Sequence, residues 1–287
     1  MFKWKTISLS TLLLSVFMLS GCNIKVLNPQ GPVAEDQFQL ILWSLGFMLF
    51  IVLVVFSAFT IILVRYRDRP GHQNHDPEQE GNKWLELLWT VIPIIIIICL
   101  AVPTVRTIYA LEDPPKQSKD QEPLTVRVVS SDWKWIFVYP EQGIETVNYL
   151  NIPADVPIKF RLTSAGSMSS LWIPSLGGQE YAMAGMMTQL ILEADHPGTY
   201  VGKNANFNGK LFQKMKFNVH AMTREDFQAW AEKVKKNAPK LTKEQYLNIL
   251  EPGVSAKKTF SSTHLSFVNH VKEPDFAVKH TEILPPH

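Results

Sequence analysis

The segment Tyr200-Val-Gly-Lys-Asn-Ala-Asn-Phe-Asn-Gly-Lys-Leu-Phe-Gln-Lys-Met215 decides the fold of this chain. Its Asn208-Gly209 dipeptide is a strong turn signal, because both residues tolerate a positive φ angle. Another turn signal, His196-Pro-Gly198, lies before it, and the strand-like run Met215-Lys-Phe-Asn-Val219 continues from its end. We therefore predict a loop between two β-strands.

Working outward from this loop, further short runs have the pattern of strands. They are Leu124-Thr-Val-Arg-Val-Val129, Pro157-Ile-Lys-Phe-Arg-Leu-Thr163 and Gln189-Leu-Ile-Leu-Glu193. Several short strands separated by turns are typical of a β-sandwich or barrel of about 100 residues. We assign residues 124–222 to this all-β domain.

Two apolar stretches precede the domain and predict transmembrane helices at residues 40–64 and 87–109. The first carries no charge, and the second carries none before Arg106. Each is long enough to cross a bilayer, and helices inside a membrane tolerate prolines such as Pro93 and Pro103. Two buried helices of a soluble protein are the alternative, but few such helices run this long without a charge.

The N-terminus predicts a signal peptide over residues 1–21, with a basic start and an apolar middle. It ends in Leu19-Ser-Gly-Cys22, which resembles a bacterial lipobox. The resemblance implies cleavage before Cys22 and a diacylglycerol on its sulfur, as in a palmitate-bearing lipoprotein; an ordinary signal peptide with a chance cysteine is the alternative.

This signal sets the expected orientation in a bacterial cell membrane. Residues 22–39 are outside, residues 65–86 form a cytoplasmic loop, and both mature termini are outside. The loop carries more basic residues than the outer segment, as the positive-inside rule requires: Arg65, Arg67, Arg69 and Lys83 against Lys25. A polar, proline-bearing linker at 110–123 then leads to the β domain.

Residues 223–287 are expected to form a helical extension and a tail. Thr223-Arg-Glu-Asp226 and Thr242-Lys-Glu-Gln245 look like helix starts. The tail has no strong pattern, and its scattered histidines are interpreted as solvated side chains: His264, His270, His280 and His287.

Composition and motifs exclude several classes of function. The net charge of +2 gives no footprint for nucleic acid. The only two cysteines, Cys22 and Cys99, cannot form a disulfide framework. No phosphate loop, dinucleotide motif or hydrolase triad occurs, and Asp195-His196 is interpreted as part of a turn.

The order of these segments resembles subunit II of haem–copper oxidases. Glu86-Leu-Leu-Trp-Thr-Val-Ile-Pro93 looks like the family's second helix, and Asp132-Trp-Lys-Trp-Ile-Phe137 resembles its aromatic strand. Ser169-Ser-Leu-Trp-Ile-Pro-Ser-Leu-Gly177 resembles the strand that begins with its first copper-binding His. The resemblance implies a two-helix membrane hairpin followed by an extracytoplasmic cupredoxin-like β-sandwich.

In that family, the loop quoted above holds a binuclear copper centre. The positions that match its ligands are here Ser169, Asn204, Asn206, Asn208, Phe212 and Met215. In the family, the position of Asn206 gives a backbone carbonyl to copper and a carboxylate to magnesium. Amides, a hydroxyl and a phenyl ring are poor copper ligands. We therefore predict no metal in this chain, which is similar to the quinol oxidase branch and closest to the menaquinol oxidases of Gram-positive bacteria with A-type haems.

Two further positions follow from the resemblance. Glu86 matches the acid at the cytoplasmic entrance of the family's proton channel, although a solvated residue at a helix start is the alternative. Trp133 matches the aromatic residue that receives electrons from cytochrome c. Without copper behind it, Trp133 is expected to be a packed strand residue.

The resemblance implies a subunit of a proton-pumping quinol oxidase that reduces oxygen to water. Its haems and one copper are expected in subunit I, which is the main partner together with small subunits III and IV. Quinol is the expected electron donor, and cytochrome c is not an expected partner. This chain is expected to have a structural role and to carry no catalytic residue. The alternatives are a stand-alone lipoprotein binding module and a cytochrome c oxidase subunit II.

Overall fold

The computed structural model describes residues 25–67 and 81–281. The predicted signal peptide, Cys22, Arg69 and His287 lie outside these ranges. Within them the chain forms a helical hairpin, a β-sandwich and a third layer made by its C-terminal part.

The hairpin consists of α1 (Pro32–Arg65) and α2 (Lys83–Ala110). Both are long and apolar enough to cross a membrane, and α1 begins well before the uncharged stretch. The side-chain oxygen of Asn82 accepts hydrogen bonds from the first amides of α2 and caps that helix. Most apolar side chains of the hairpin are exposed, so water is not their native surroundings.

The β domain contains eleven strands within the described ranges. They are β1 (Leu124–Ser131), β2 (Lys134–Tyr139), β3 (Ile144–Val147), β4 (Tyr149–Pro153), β5 (Ile158–Ser164), β6 (Ser169–Trp172), β7 (Gln179–Ala182), β8 (Thr188–Leu192), β9 (Gly198–Asn204), β10 (Lys216–Met222) and β11 (Lys258–Phe260). One sheet has the order β11-β3-β2-β1-β5-β8 and the other β4-β10-β9-β6-β7.

The sandwich core lies between the two sheets. Alternate residues of β1 and β5 point inward, so that Val126, Val128, Phe160 and Leu162 join one cluster with Phe217 of the opposite sheet. The predicted hairpin-plus-sandwich architecture is confirmed.

The sandwich is tied to the hairpin at the start of α1. Val33 belongs to the sandwich core, and the amide of Gln30 donates to the carbonyl of Ser175. In the linker, the buried Ser118 hydroxyl donates to Glu193 at 2.5 Å. These contacts bring both the start of α1 and the linker after α2 against the same end of the β domain.

The C-terminal part packs around the first sheet. It forms α3 (Arg224–Asn237), α4 (Lys243–Leu250), β11 and α5 (Phe276–His280). Its first helix adds Phe227, Ala231 and Val234 to the sandwich core, and the segments after that helix cover the outer face of the sheet. The new strand β11 extends the sheet beyond β3. A second apolar cluster joins outward-facing side chains of the sheet, such as Ile136, to residues of this layer, such as Tyr246.

The interpretation of His264 and His270 as solvated side chains is wrong. They are only 1% and 2% exposed. The reason is that the third layer folds them against the sheet, which no local sequence pattern reveals. His280 is exposed, and its ring stacks on Phe276.

Trp133 is also not a strand residue, contrary to expectation. Strand β1 ends at Ser131 and pairs there with Lys134, so Asp132 and Trp133 form the two-residue turn of a hairpin. Trp133 has a φ angle of 65°, which is uncommon for a bulky residue and marks a constrained site.

Candidate functional site

The loop after β9 and the start of β6 converge at one end of the β domain. Leu171 of β6 pairs with Asn204 at the end of β9. A short 3-10 turn at Phe212–Lys214 returns the chain to β10. Tertiary structure thereby brings Ser169 close to Asn204, which lies 35 residues later in the chain, and to the loop that follows it.

Three of the positions that match copper ligands contact one another. The Asn208 amide nitrogen donates to the Ser169 hydroxyl at 3.1 Å and approaches the Met215 sulfur at 3.6 Å. Ser169 Oγ lies 4.0 Å from the same sulfur. Ser169 and Met215 are buried, so this end of the domain is closed by amide, hydroxyl and thioether contacts.

Two further positions organise the backbone of the loop. The side-chain oxygen of Asn204 accepts hydrogen bonds from the amides of Ser170 and Asn206, at 2.8 and 3.0 Å. The Asn206 side chain donates to the carbonyl of Met168 at 3.0 Å. Both side chains therefore hold the loop against β6 as local turn formers.

The aromatic residues of the loop pack at its outer surface. Phe212 lies edge-on to Phe207 with ring centroids 5.5 Å apart, and Phe207 itself is 75% exposed. The indole nitrogen of Trp133 donates to the carbonyl of Asn208 at 3.1 Å. The residue that matches the family's electron-entry aromatic thus supports the loop backbone.

These residues do not fit a binuclear copper centre. The Asn204 oxygen and the Asn208 nitrogen are engaged within the loop, and only Met215 offers a soft donor. Among described residues, the Asn204 nitrogen and the Asn208 oxygen are buried without a partner. One is a donor and the other a hard amide oxygen, so neither replaces a thiolate or an imidazole.

Glu86 is exposed and lies in the first turn of α2, distant from the β-domain loop along the chain. A carboxylate in this position is favoured by the helix dipole. Its backbone carbonyl accepts a hydrogen bond from the Thr90 hydroxyl at 2.8 Å.

The structure also reveals a buried polar cluster that sequence reasoning missed. The Glu145 carboxylate accepts hydrogen bonds from the ring and the backbone amide of His264, at 2.8 and 2.9 Å. The ring of Tyr246 stacks on that of His264 with the ring centroids 4.4 Å apart. The Tyr246 hydroxyl lies 2.5 Å from Nε2 of His270. More than 100 residues separate Glu145 from these partners, so no spacing pattern could have identified them.

Family models match both parts of this architecture. The family model "Cytochrome C oxidase subunit II, transmembrane domain" matches residues 22–107, and the model for that subunit's periplasmic domain matches residues 140–222. A crystal structure of the periplasmic domain of cytochrome oxidase subunit II from Bradyrhizobium japonicum matches at 22% identity and a TM-score of 0.38, over 39% of this chain and 94% of that one. Hairpin and β domain together define the class of oxidase subunits II.

Full-length relatives place the chain more narrowly. Quinol oxidase subunit 2 of Bacillus subtilis is 57% identical over 96% of this chain and 87% of the relative. The protein of the same name from Bacillus anthracis is 52% identical over 93% of this chain and 92% of the relative. A probable quinol oxidase subunit 2 of Staphylococcus epidermidis is 44% identical over 94% of this chain and 71% of the relative. This chain belongs to the quinol oxidase subunit 2 family, and it is a membrane-bound subunit of a terminal oxidase, an oxidoreductase.

Proposed function

We propose that this chain is the copper-free subunit II of a proton-pumping oxidase that transfers electrons from quinol, such as menaquinol, to oxygen and forms water. The observation that carries the proposal is the closed cluster of Ser169, Asn208 and Met215. Because an amide, a hydroxyl and a single thioether are a poor donor set for copper, we expect no electron relay through the β domain. Quinol then delivers electrons directly to the catalytic subunit I, where the haems and one copper are located.

The chain's own contribution is structural. Its hairpin presents apolar side chains to lipid and to subunit I, and its β domain forms an extracytoplasmic cap. Subunits III and IV complete the complex, and a lipid on Cys22 adds a further anchor. The side-chain hydrogen bonds of Asn204 and Asn206 hold the loop after β9 in place, so that the loop needs no copper to fold.

Glu86 provides the cytoplasmic entrance of a proton path in this proposal. Its exposed carboxylate at the start of α2 is free to receive protons from the cytoplasm and to pass them to an adjoining subunit.

Oxygen uptake tests the proposed donor. The complex is purified through a tag on this chain and supplied with either a quinol or reduced cytochrome c. We expect rapid uptake with quinol and none with cytochrome c. Uptake with cytochrome c would overturn the proposal, and a chain that purifies alone without uptake from either donor would instead indicate a stand-alone binding module.

A further inference from the structure

Two arginines lie side by side on the outer face of the first sheet. Arg127 of β1 and Arg161 of β5 are direct partners in a parallel strand pair. Such partners are about 4.8 Å apart across the strands and point to the same face. Within the described parts of the chain, neither arginine has an ion-pair partner. Like charges in this arrangement repel each other, so an anion between them would be stabilising.

A cleft separates these arginines from the third layer. Arg127, Arg161 and Thr163 line it from the sheet, and Asn269 and His270 line it from the C-terminal part. No Asp or Glu is among its lining residues. Its interior measures about 10 Å³, which is room for one water-sized group. An anion would therefore rest at the mouth with one oxygen inserted.

His270 contributes an unpaired hydrogen-bonding atom to the cleft. It is 2% exposed, and among described residues its Nδ1 has no partner. Burial raises the pKa of Tyr246 well above its usual value, so the phenol keeps its proton. A neutral phenol can donate to Nε2 of His270, and in that tautomer the proton of the neutral ring lies on Nδ1. The result is a buried N–H donor without an acceptor, which is costly.

A fourth donor lies beside it. The side-chain oxygen of Asn269 accepts from the amide of Val271 at 3.1 Å, which leaves its NH₂ group available. Thr163 does not add another, because its hydroxyl already donates to the carbonyl of Met183. Charged and neutral donors therefore line the cleft, and the Glu145 carboxylate, which contacts the lining residue His264, already accepts from that residue's ring and backbone amide.

We propose that this cleft binds a phosphate group, held by the guanidinium groups of Arg127 and Arg161 with one oxygen directed to Nδ1–H of His270. Guanidinium forks match the geometry of phosphate oxygens. A tetrahedral oxyanion can contact both arginines and still insert an oxygen, whereas a carboxylate has only two oxygens. The phosphate belongs either to free inorganic phosphate or to a lipid headgroup.

Calorimetric titration of the full chain in detergent micelles with inorganic phosphate, at constant ionic strength, tests this site. We expect saturable binding of one phosphate per chain. Arg161→Gln should weaken it by about tenfold or more, because hydrogen bonds to charged groups are the stronger class. The exposed position of Arg161 favours normal folding of the variant, which circular dichroism checks, and Arg127→Gln provides a second variant.

Lys159→Gln is the matched control. Lys159 lies on the same face of β5 as Arg161, but it does not line the cleft. Its substitution by Gln removes the same positive charge as Arg161→Gln. A parallel titration with a soluble short-chain phosphatidylglycerol separates the sources: Arg161-dependent binding of this lipid alone supports a headgroup ligand. The site is refuted if neither phosphate compound saturates, or if Lys159→Gln weakens binding as much as Arg161→Gln.

Discussion

At the scale of single residues, the loop after β9 is held together by polar side chains at the positions that match copper ligands. Asn208 bonds Ser169 and contacts Met215, and Asn204 ties the loop to β6. The positions converge, so the predicted absence of copper binding rests on the chemistry of four side chains: Ser169, Asn204, Asn208 and Phe212.

Restoring those ligands should restore copper binding. We expect a variant with Ser169→His, Asn204→Cys, Asn208→Cys and Phe212→His to bind copper together with Met215, because thiolate, imidazole and thioether are the ligands copper prefers. Metal analysis and thiolate-to-copper absorption measure the outcome. The control carries Ser in place of each new Cys. Near-stoichiometric copper in the parent chain would contradict the prediction.

His270 should make the third layer sensitive to acid. Burial lowers its pKa to about 3, with a smaller effect from nearby His264. The unfolded chain has a histidine pKa of about 6.5 and therefore binds an extra proton between these two values. Stability contributed by the neutral ring is present above about pH 6.5 and is lost toward pH 3, by up to about 1.4 kcal/mol per pH unit.

Denaturant unfolding of the full chain between about pH 7 and 4 checks this slope. The comparison is with His270→Gln, which keeps a polar side chain but does not titrate there. Subtracting the two profiles removes shared contributions, such as the opposite effect of Glu193, whose pKa burial raises. Parallel profiles would refute the assignment.

At the scale of elements, the hairpin and the β domain meet through an unusually close approach. Gly31 caps α1 with an extended φ of −167°, so its backbone angle suits any residue. A Cβ at Gly31 would lie 2.0 Å from the carbonyl oxygen of Glu193. Glycine is required here for space, and the contact positions α1 against the end of β8.

Gly31→Ala should destabilise this junction by about 1–3 kcal/mol, because two backbone segments must move apart. Gly46 supplies the control: it lies within α1, and a Cβ there meets nothing within 4 Å. Gly46→Ala should be neutral or stabilise the helix by up to about 1 kcal/mol. Thermal unfolding in micelles compares them, and equal effects would show that the junction does not depend on this approach.

At the scale of the whole molecule, the chain is incomplete by itself. The long helices expose apolar side chains over most of their surface, and these require lipid and neighbouring subunits. The proposed proton entrance at Glu86 is likewise meaningful only within a complex.

Glu86→Gln should lower oxygen uptake by the complex by roughly tenfold, which is less than the roughly 10²–10⁴-fold of a group that transfers a proton to or from a reacting atom, because Glu86 lies at the start of the proposed path. This substitution removes the negative charge of Glu86 and keeps the size of the side chain, and the cap that Asn82 provides to α2 is unchanged. Glu112→Gln is the control, because Glu112 follows the opposite end of α2. Full turnover and full pumping in Glu86→Gln vesicles would reject the role of Glu86.

The sequence by itself determined the hairpin, the β domain and the family. Apolar runs and alternating strands are local patterns with direct physical causes, and the 200–215 loop has the spacing of the family's metal loop although its side chains differ. Tertiary structure alone decided what depends on distant segments meeting. Trp133 became a turn residue that supports the loop, and His264 and His270 became buried partners of Glu145 and Tyr246. Their burial arises from packing between segments far apart in the chain, which local patterns do not encode.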